Sequence, residues 1–235
     1  LAPWARATTR SQLSSYDPYN TFNWIMNISE MHSLKSAFYF ICGHTNAFDA
    51  DYQPGHPAIR KLMRDIHDRG HEIGLHPSYD TYRKPQLIKK EAERLKQICA
   101  DEGIKQDDWG GRMHYLRWEH PLTLTAWSDA GMKYDSTLSF ADRPGFRCGT
   151  CFEYPAFNPV TQDELPLRVR PLITMECTIM DKSYMGLGQG ESALNKFAQM
   201  KEACRSVDGC FTLLWHNSEL ENDKKRDLYR AVLKI

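Results

Sequence analysis

No apolar run in this chain approaches the roughly 18–20 residues of a membrane span, so no spanning helix is expected. Net charge is also missing. Thirty Lys and Arg balance thirty Asp and Glu, which leaves no overall positive field to hold a phosphate backbone, and nucleic acid is excluded as an expected partner. The opening residues LAPWARATTR lack the apolar core of a signal peptide. The seven cysteines are scattered and odd in number, the pattern of reduced thiols in a cytoplasmic protein. Only one C-x-x-C pair occurs, Cys148 and Cys151. A four-ligand zinc site needs a second pair. A redox motif would sit at a strand–helix junction, whereas this one lies among Gly, Pro and Arg. The two therefore read as loop or packing thiols. GLGQG at 186–190 lacks the Lys and Ser/Thr of a phosphate-binding loop, and no G-x-S-x-G elbow is present. There is no internal repeat and no low-complexity stretch.

What is present is alternation. Helical periodicity runs through YNTFNWIMNISEMHSL, HPAIRKLMRDIHDRG, PQLIKKEAERLKQICADEG, HPLTLTAWSDAG, ESALNKFAQMKEACRSV and the closing ENDKKRDLYRAVLK. Gly70, Gly103 and Gly131 follow three of these as stop signals. Between them stand SAFYFIC, HEIGLH, GGRMHYL, MKYDSTL, LITMECTIM and CFTLLWH, each of strand length, the last the best strand in the chain. Residues 139–171 read as loop, with prolines at 144, 155, 159, 166 and 171. The 235 residues suit one large domain. Strands alternating with helices predict an α/β fold with a largely parallel sheet, open or closed into a barrel. In such folds chemistry collects at the C-terminal ends of strands. Three expected strands carry suggestive residues there: His76, Arg112 with His114, and His216.

GHEIGLHPSYDTY is the densest local set of metal-ligand residue types, with His71, His76 and Asp80. Pro77 suits the first position of a helical turn. Residues four apart then share a face, and imidazole with carboxylate suits a divalent metal. The plain alternative is a surface turn in which His76 caps and Asp80 is solvated. His71 opens its strand and reads as structural. His216 follows a very apolar strand, so it is either a satisfied core residue or an acid–base group. Arg112 suits a buried ion pair. His114 and His120 flank a strand end and suggest no role. Asp49 in DADY reads as a solvated loop acid. Trp215 and Tyr79 are the expected sugar-ring contacts.

Taken in order, RGHEIGLHPSYDTY, GGRMHYLRW, SDAGMKYDSTLSFADRPGFRCGT and FTLLWHNS resemble the polysaccharide deacetylase family, and within it the bacterial branch found with surface-polysaccharide genes. The resemblance implies a distorted (β/α) barrel of about seven strands, one divalent metal, usually zinc, and removal of acetyl groups from N-acetylated sugars or polysaccharides. It implies His76 as a metal ligand, with Asp80 at the second ligand position where the family has histidine. It implies Arg112 as the residue that orients the catalytic base and His216 as the general acid. The family opens with an apolar strand carrying two aspartates, base and ligand. SAFYFIC resembles the family's second strand, and no Asp pair precedes it, so the chain is expected to begin after that first strand within one domain over 1–235. Two other readings stay open: a degenerate relative that binds a glycan without cleaving it, and a related barrel hydrolase acting on a small amide.

Overall fold

The computed structural model describes residues 13–235. In chain order its elements are α1 (Phe22–Met31), β1 (Ala37–Phe40), α2 (Pro57–Asp68), β2 (Glu72–Leu75), α3 (Pro85–Asp101), β3 (Gly110–Gly111), α4 (Leu122–Asp129), β4 (Tyr134–Asp135), β5 (Tyr154–Asn158), β6 (Asp163–Val169), β7 (Thr174–Met175), α5 (Glu176–Met180), α6 (Glu191–Arg205), β8 (Leu213–Leu214) and α7 (Asp223–Lys234). The fold is mixed α/β. Its residues group into two compact units. One holds Lys35–Thr137 and Tyr154–Val169; the other holds Pro18–Leu34, Leu138–Glu153 and Arg170–Ile235. No helix among the described residues is long and apolar enough to cross a membrane.

The first unit is built on a six-stranded sheet in the order β1-β2-β3-β4-β6-β5. All neighbours run parallel except the β5–β6 pair. Helix α2 shows why the sequence folds this way. Pro57 opens it, and the His56 ring accepts the Ala58 N–H, meeting one of the donors that every helix start leaves over. Ala58, Ile59, Leu62, Met63 and Ile66 form its buried face, the spacing of a single helical stripe. Ile59, Leu62, Met63 and Ile66 each contribute roughly 1.5–3 kcal/mol on burial. Gly70, at φ +78°, ends the turn where a side chain would be strained.

Strand pairing continues past the regular strands and so sets the site. The His76 N–H donates to the Phe40 carbonyl (2.9 Å), Arg112 N–H to Leu75 (3.0 Å) and Ser136 N–H to Gly111 (2.9 Å). Gly111 has to be glycine here, because a Cβ would lie 1.9 Å from the Leu75 carbonyl oxygen. The expected strand GGRMHYL is regular only over Gly110–Gly111. Its second half is a tight turn, His114–Leu116, with Tyr115 and Leu116 at φ +56° and +53°. Likewise Pro77 does not open a helical turn. The short 3-10 turn covers Tyr79–Thr81 and starts from an extended Ser78.

The expected loop at 139–171 contains the hairpin β5–β6. Its prolines hid it. Pro155 lies on the edge strand, beside a register shift. Pro166 precedes Arg168 and Val169, the two residues through which β6 meets β4. Neither missing N–H breaks a central ladder.

The second unit holds a two-stranded parallel sheet, β7 with β8. CFTLLWH contributes only Leu213–Leu214 to it. LITMECTIM gives two strand residues and then turns into α5 at Glu176. Helices α5, α6 and α7 bury Ile179, Phe197, Leu228 and Val232 together, and Trp24 of α1 meets Tyr229 of α7 at 5.5 Å between ring centroids.

Candidate functional site: two carboxylate–histidine pairs

In the first unit the loop after β1 delivers Asp49, whose side chain is fully buried. Five donors surround it. Oδ2 accepts the Thr45 N–H (2.7 Å), the Thr45 hydroxyl (3.1 Å) and the Asn46 N–H (2.9 Å). Oδ1 accepts the Tyr79 N–H (2.7 Å) and meets His114 Nδ1 (3.1 Å). Burial alone would raise its pKa, but the hydrogen bonds from Thr45, Tyr79 and Asn46 outweigh it and hold the carboxyl below its ordinary value. Asp49 is thus a buried, charged hub and not the solvated loop acid that DADY suggested.

His114 and His76 stand side by side, 4.8 Å between ring centroids. His76 Nδ1 lies 2.7 Å from the Arg112 carbonyl. A carbonyl cannot donate, so Nδ1 carries the proton there and Nε2 carries the in-plane lone pair. His114 is oriented in the same sense, through Nδ1 against a carboxylate. Imidazoles that ligate metals are fixed in this way, by a carbonyl or a carboxylate on the other nitrogen.

Asp80 is occupied differently. Its Oδ1 meets Arg117 (3.1 Å) and its Oδ2 accepts Asn46 Nδ2 (3.0 Å), and these two partners lower its pKa. Its N–H donates to the Thr45 hydroxyl (3.0 Å). Arg117 also donates to the Tyr79 carbonyl (2.6 Å) and lies over the Tyr79 and Tyr82 rings at 4.0 and 3.9 Å.

Arg112 is buried, and its guanidinium donates to the carbonyl (2.7 Å) and hydroxyl (2.9 Å) of Ser136. It clamps the end of β4. The neighbouring Asp135 is fully buried. One of its oxygens is held by the Thr137 N–H and hydroxyl, the other has no hydrogen-bond partner. Burial drives its pKa up to about 7, against the pull of Thr137 and the Arg112 charge. Thr137 in turn accepts the Met113 N–H (3.0 Å), which fixes the strand just before His114. His71 is buried and its ring accepts the Ser36 N–H (3.2 Å), a structural role.

In the second unit His216 follows β8 with its side chain half exposed, and Glu176, the first residue of α5, is fully buried. Glu176 Oε1 accepts both the backbone N–H of His216 (3.0 Å) and a close contact from His216 Nδ1. Glu176 Oε2 has no hydrogen-bond partner. Cys177 lies within the same cluster. Together, Glu176, Cys177 and His216 are the only group of three potential ligands within 4.8 Å of one another among the described residues. Burial, with the charges of Glu176 and Asp181, pushes the Cys177 thiol up to about 12, so it is a protonated thiol at neutral pH. Trp215 stacks on Phe197 (5.7 Å), meets Tyr229 edge-on (5.0 Å) and donates its indole N–H to Glu219, so much of its ring surface is committed to packing.

The sequence assigned no role to Asp49, His114 or Glu176. A signal existed for two of them. Thr45 and Asn46 precede Asp49 by four and three residues, the spacing of a carboxylate that organises its own loop. Glu176 is an acid inside an apolar run, which is costly unless it has a partner. For His114 the strand reading concealed the turn that swings it toward Asp49. No protein-family model matches this chain, and no curated protein matches it.

Proposed function

We propose that this protein is a divalent-metal-dependent hydrolase that removes acetyl groups from N-acetylated sugars or polysaccharides. The observation that carries the reading is the matched pair His76 and His114, adjacent rings with Nδ1 of each turned to a fixed acceptor. The parallel order β1-β2-β3-β4-β6, in which only β5 is set aside as an antiparallel edge strand, supports a (β/α) barrel wall with the site at its C-terminal rim.

In this reading His76 and His114 would hold the metal, and zinc is among the ions that imidazole ligands suit. They fill two of the three protein positions that a catalytic zinc takes. Asp80, named as second ligand by the resemblance, instead braces Arg117 and Asn46. A divalent ion held there would supply Lewis-acid polarisation of the acetyl carbonyl. Arg112 positions His76 through its carbonyl, and Asp49 positions His114. Asp49 does not serve as general base, because its charge is already stabilised by five donors and proton uptake would forfeit them. For His216 the resemblance implies the general acid; within its own unit Glu176 holds its Nδ1 side, an orientation that suits proton transfer to a departing amine.

The second reading, a glycan-binding relative without turnover, is favoured by one observation: no third ligand joins His76 and His114 among the described residues. Acetate release from acetylated amino sugars, measured with added zinc and after chelation, separates the two. Chelator-sensitive release that His114→Ala abolishes supports the hydrolase. Glycan binding with no acetate under either condition favours the binding module.

A further inference from the structure

The strand register of the second unit brings an acid, a thiol and an imidazole together. Strands β7 and β8 run parallel, with Met175 opposite Leu214. The chain continues from one to Glu176 and Cys177, and from the other to Trp215 and His216. The three potential ligands therefore emerge from a single pair of strand ends. The His216 N–H donates to Glu176 Oε1 (3.0 Å) and ties those ends to each other. One ligand atom from each of Glu176, Cys177 and His216 lies within 4.8 Å of the other two. Ligands at about 2.0–2.3 Å from one tetrahedral zinc stand roughly 3.3–3.8 Å apart, so small side-chain rotations close the set around an ion.

Two further features point to a cation. The Glu176 side chain is fully buried, and its Oε2 has no hydrogen-bond partner. A carboxylate oxygen buried in that way is costly, and a cation at the cluster supplies what it lacks. Burial first, and then the charges of Glu176, Asp181 and Glu219, hold the Cys177 thiol protonated. A field that opposes a thiolate favours a dication, and a thiol that coordinates one gives up its proton. Oxygen, sulfur and nitrogen donors together suit zinc or cobalt(II). They suit magnesium and calcium poorly, since those ions take oxygen ligands. Cys177 is part-buried and the His216 side chain is half exposed, which gives an ion a way in.

We propose that Glu176, Cys177 and His216 form a second divalent-metal site, for zinc or an ion of similar softness, separate from the histidine pair of the first unit. An ion entering it displaces two protons, that of the Cys177 thiol and the one lying between Glu176 and His216. The site therefore fills only with metal beyond one equivalent, and metal analysis at one equivalent still reports the histidine pair. Occupation is inhibitory, a consequence that rests on the hydrolase reading, whereas the site itself does not. An imidazole that holds a metal through one nitrogen does not take up the second proton that makes it an acid near neutral pH.

The test is titration with cobalt(II), in a non-thiol reductant, of the whole protein and of Cys177→Ser, Glu176→Gln, His216→Ala, His76→Ala and Cys210→Ser. Thermal unfolding checks that each variant is folded. His76 and His114 offer no sulfur, so the thiolate-to-cobalt charge-transfer band reports the second site alone. The band should grow beyond one equivalent in the parent protein and be absent from Cys177→Ser. Glu176→Gln and His216→Ala should each need roughly tenfold more cobalt or worse, the scale of a lost ligand, while His76→Ala and Cys210→Ser keep the band. No band in the parent, a band that survives Cys177→Ser, or one lost in Cys210→Ser would overturn the site. So would Glu176→Gln and His216→Ala that titrate as the parent does. Acetate release with excess zinc, run in parallel, should fall roughly tenfold in the parent and under about threefold in Cys177→Ser, again on the scale of one ligand. An equal fall in both would overturn the inhibitory role. Release without the band removes this site and keeps the hydrolase; a Cys177-dependent band without release does the reverse.

Discussion

Two buried carboxylates in this molecule each orient a histidine, and they differ in what else they hold. Asp49 has both oxygens filled by five donors, four of them from Thr45, Asn46 and Tyr79. Glu176 gives one oxygen to His216 and leaves the other with no hydrogen-bond partner. The first is a structural hub that also points an imidazole. The second does little besides point one. Removing Asp49 should therefore be felt in the fold, and removing Glu176 in the chemistry.

The largest expected effect is on rate. His216→Ala should lower turnover by roughly 10²–10⁴, the usual worth of a general acid, with bound metal unchanged. Glu176→Gln should lower kcat by about 10–100-fold, with KM nearly constant and the unfolding midpoint little moved. Steady-state kinetics with metal analysis on the same samples checks both. Metal lost in step with activity would make His216 a ligand instead.

Next comes Asp49→Ala. It strands several buried donors at once, each worth about 1–3 kcal/mol when unsatisfied. A loss of about 3 kcal/mol or more in urea unfolding is expected, well beyond that of Glu176→Ala. Equal losses for the two variants would erase the contrast drawn between them.

Asp135 sharpens the same contrast. It is as buried as the other two but has donors from Thr137 alone, and its pKa rises to about 7, whereas that of Asp49 falls. At Asp135 burial outweighs the Thr137 donors, and at Asp49 the donors outweigh burial. Because the folded value lies above the unfolded one, the folded chain keeps a proton between about pH 4 and 7 that the unfolded chain has lost. This contribution to stability is full at low pH and declines as pH rises through that window, by up to about 1.4 kcal/mol per unit. Asp135→Asn should remove the decline. Unfolding free energies of both proteins at pH 4, 5, 6 and 7 should then diverge steadily in favour of the variant as pH rises. Parallel curves would show that Asp135 does not hold its proton.

Much of the fold was legible in the sequence because helices announce themselves locally. The α2 stripe and its Pro57 and Gly70 boundaries lie where periodicity placed them. Strands were legible as apolar runs but not in extent. GGRMHYL and CFTLLWH each give two ladder residues, because pairing depends on partners that a single segment does not display. The hairpin after residue 153 was hidden by prolines that an edge and a register shift accommodate. The places of His76, Arg112, His114 and His216 at or just after strand ends were legible in the sequence. The contact of Asp49 with His114 was not, since it depends on loops whose conformation is set by hydrogen bonds to distant residues.

The central claim is that His114, and not Asp80, joins His76 at the metal. Zinc titration of the protein and of His76→Ala, His114→Ala and Asp80→Ala tests it most directly. The two histidine variants should each bind zinc at least tenfold more weakly, the scale of a lost ligand or its support, while Asp80→Ala should change affinity by less than about threefold. A tenfold loss in Asp80→Ala together with an unaltered His114→Ala would contradict the account and return the second ligand to Asp80.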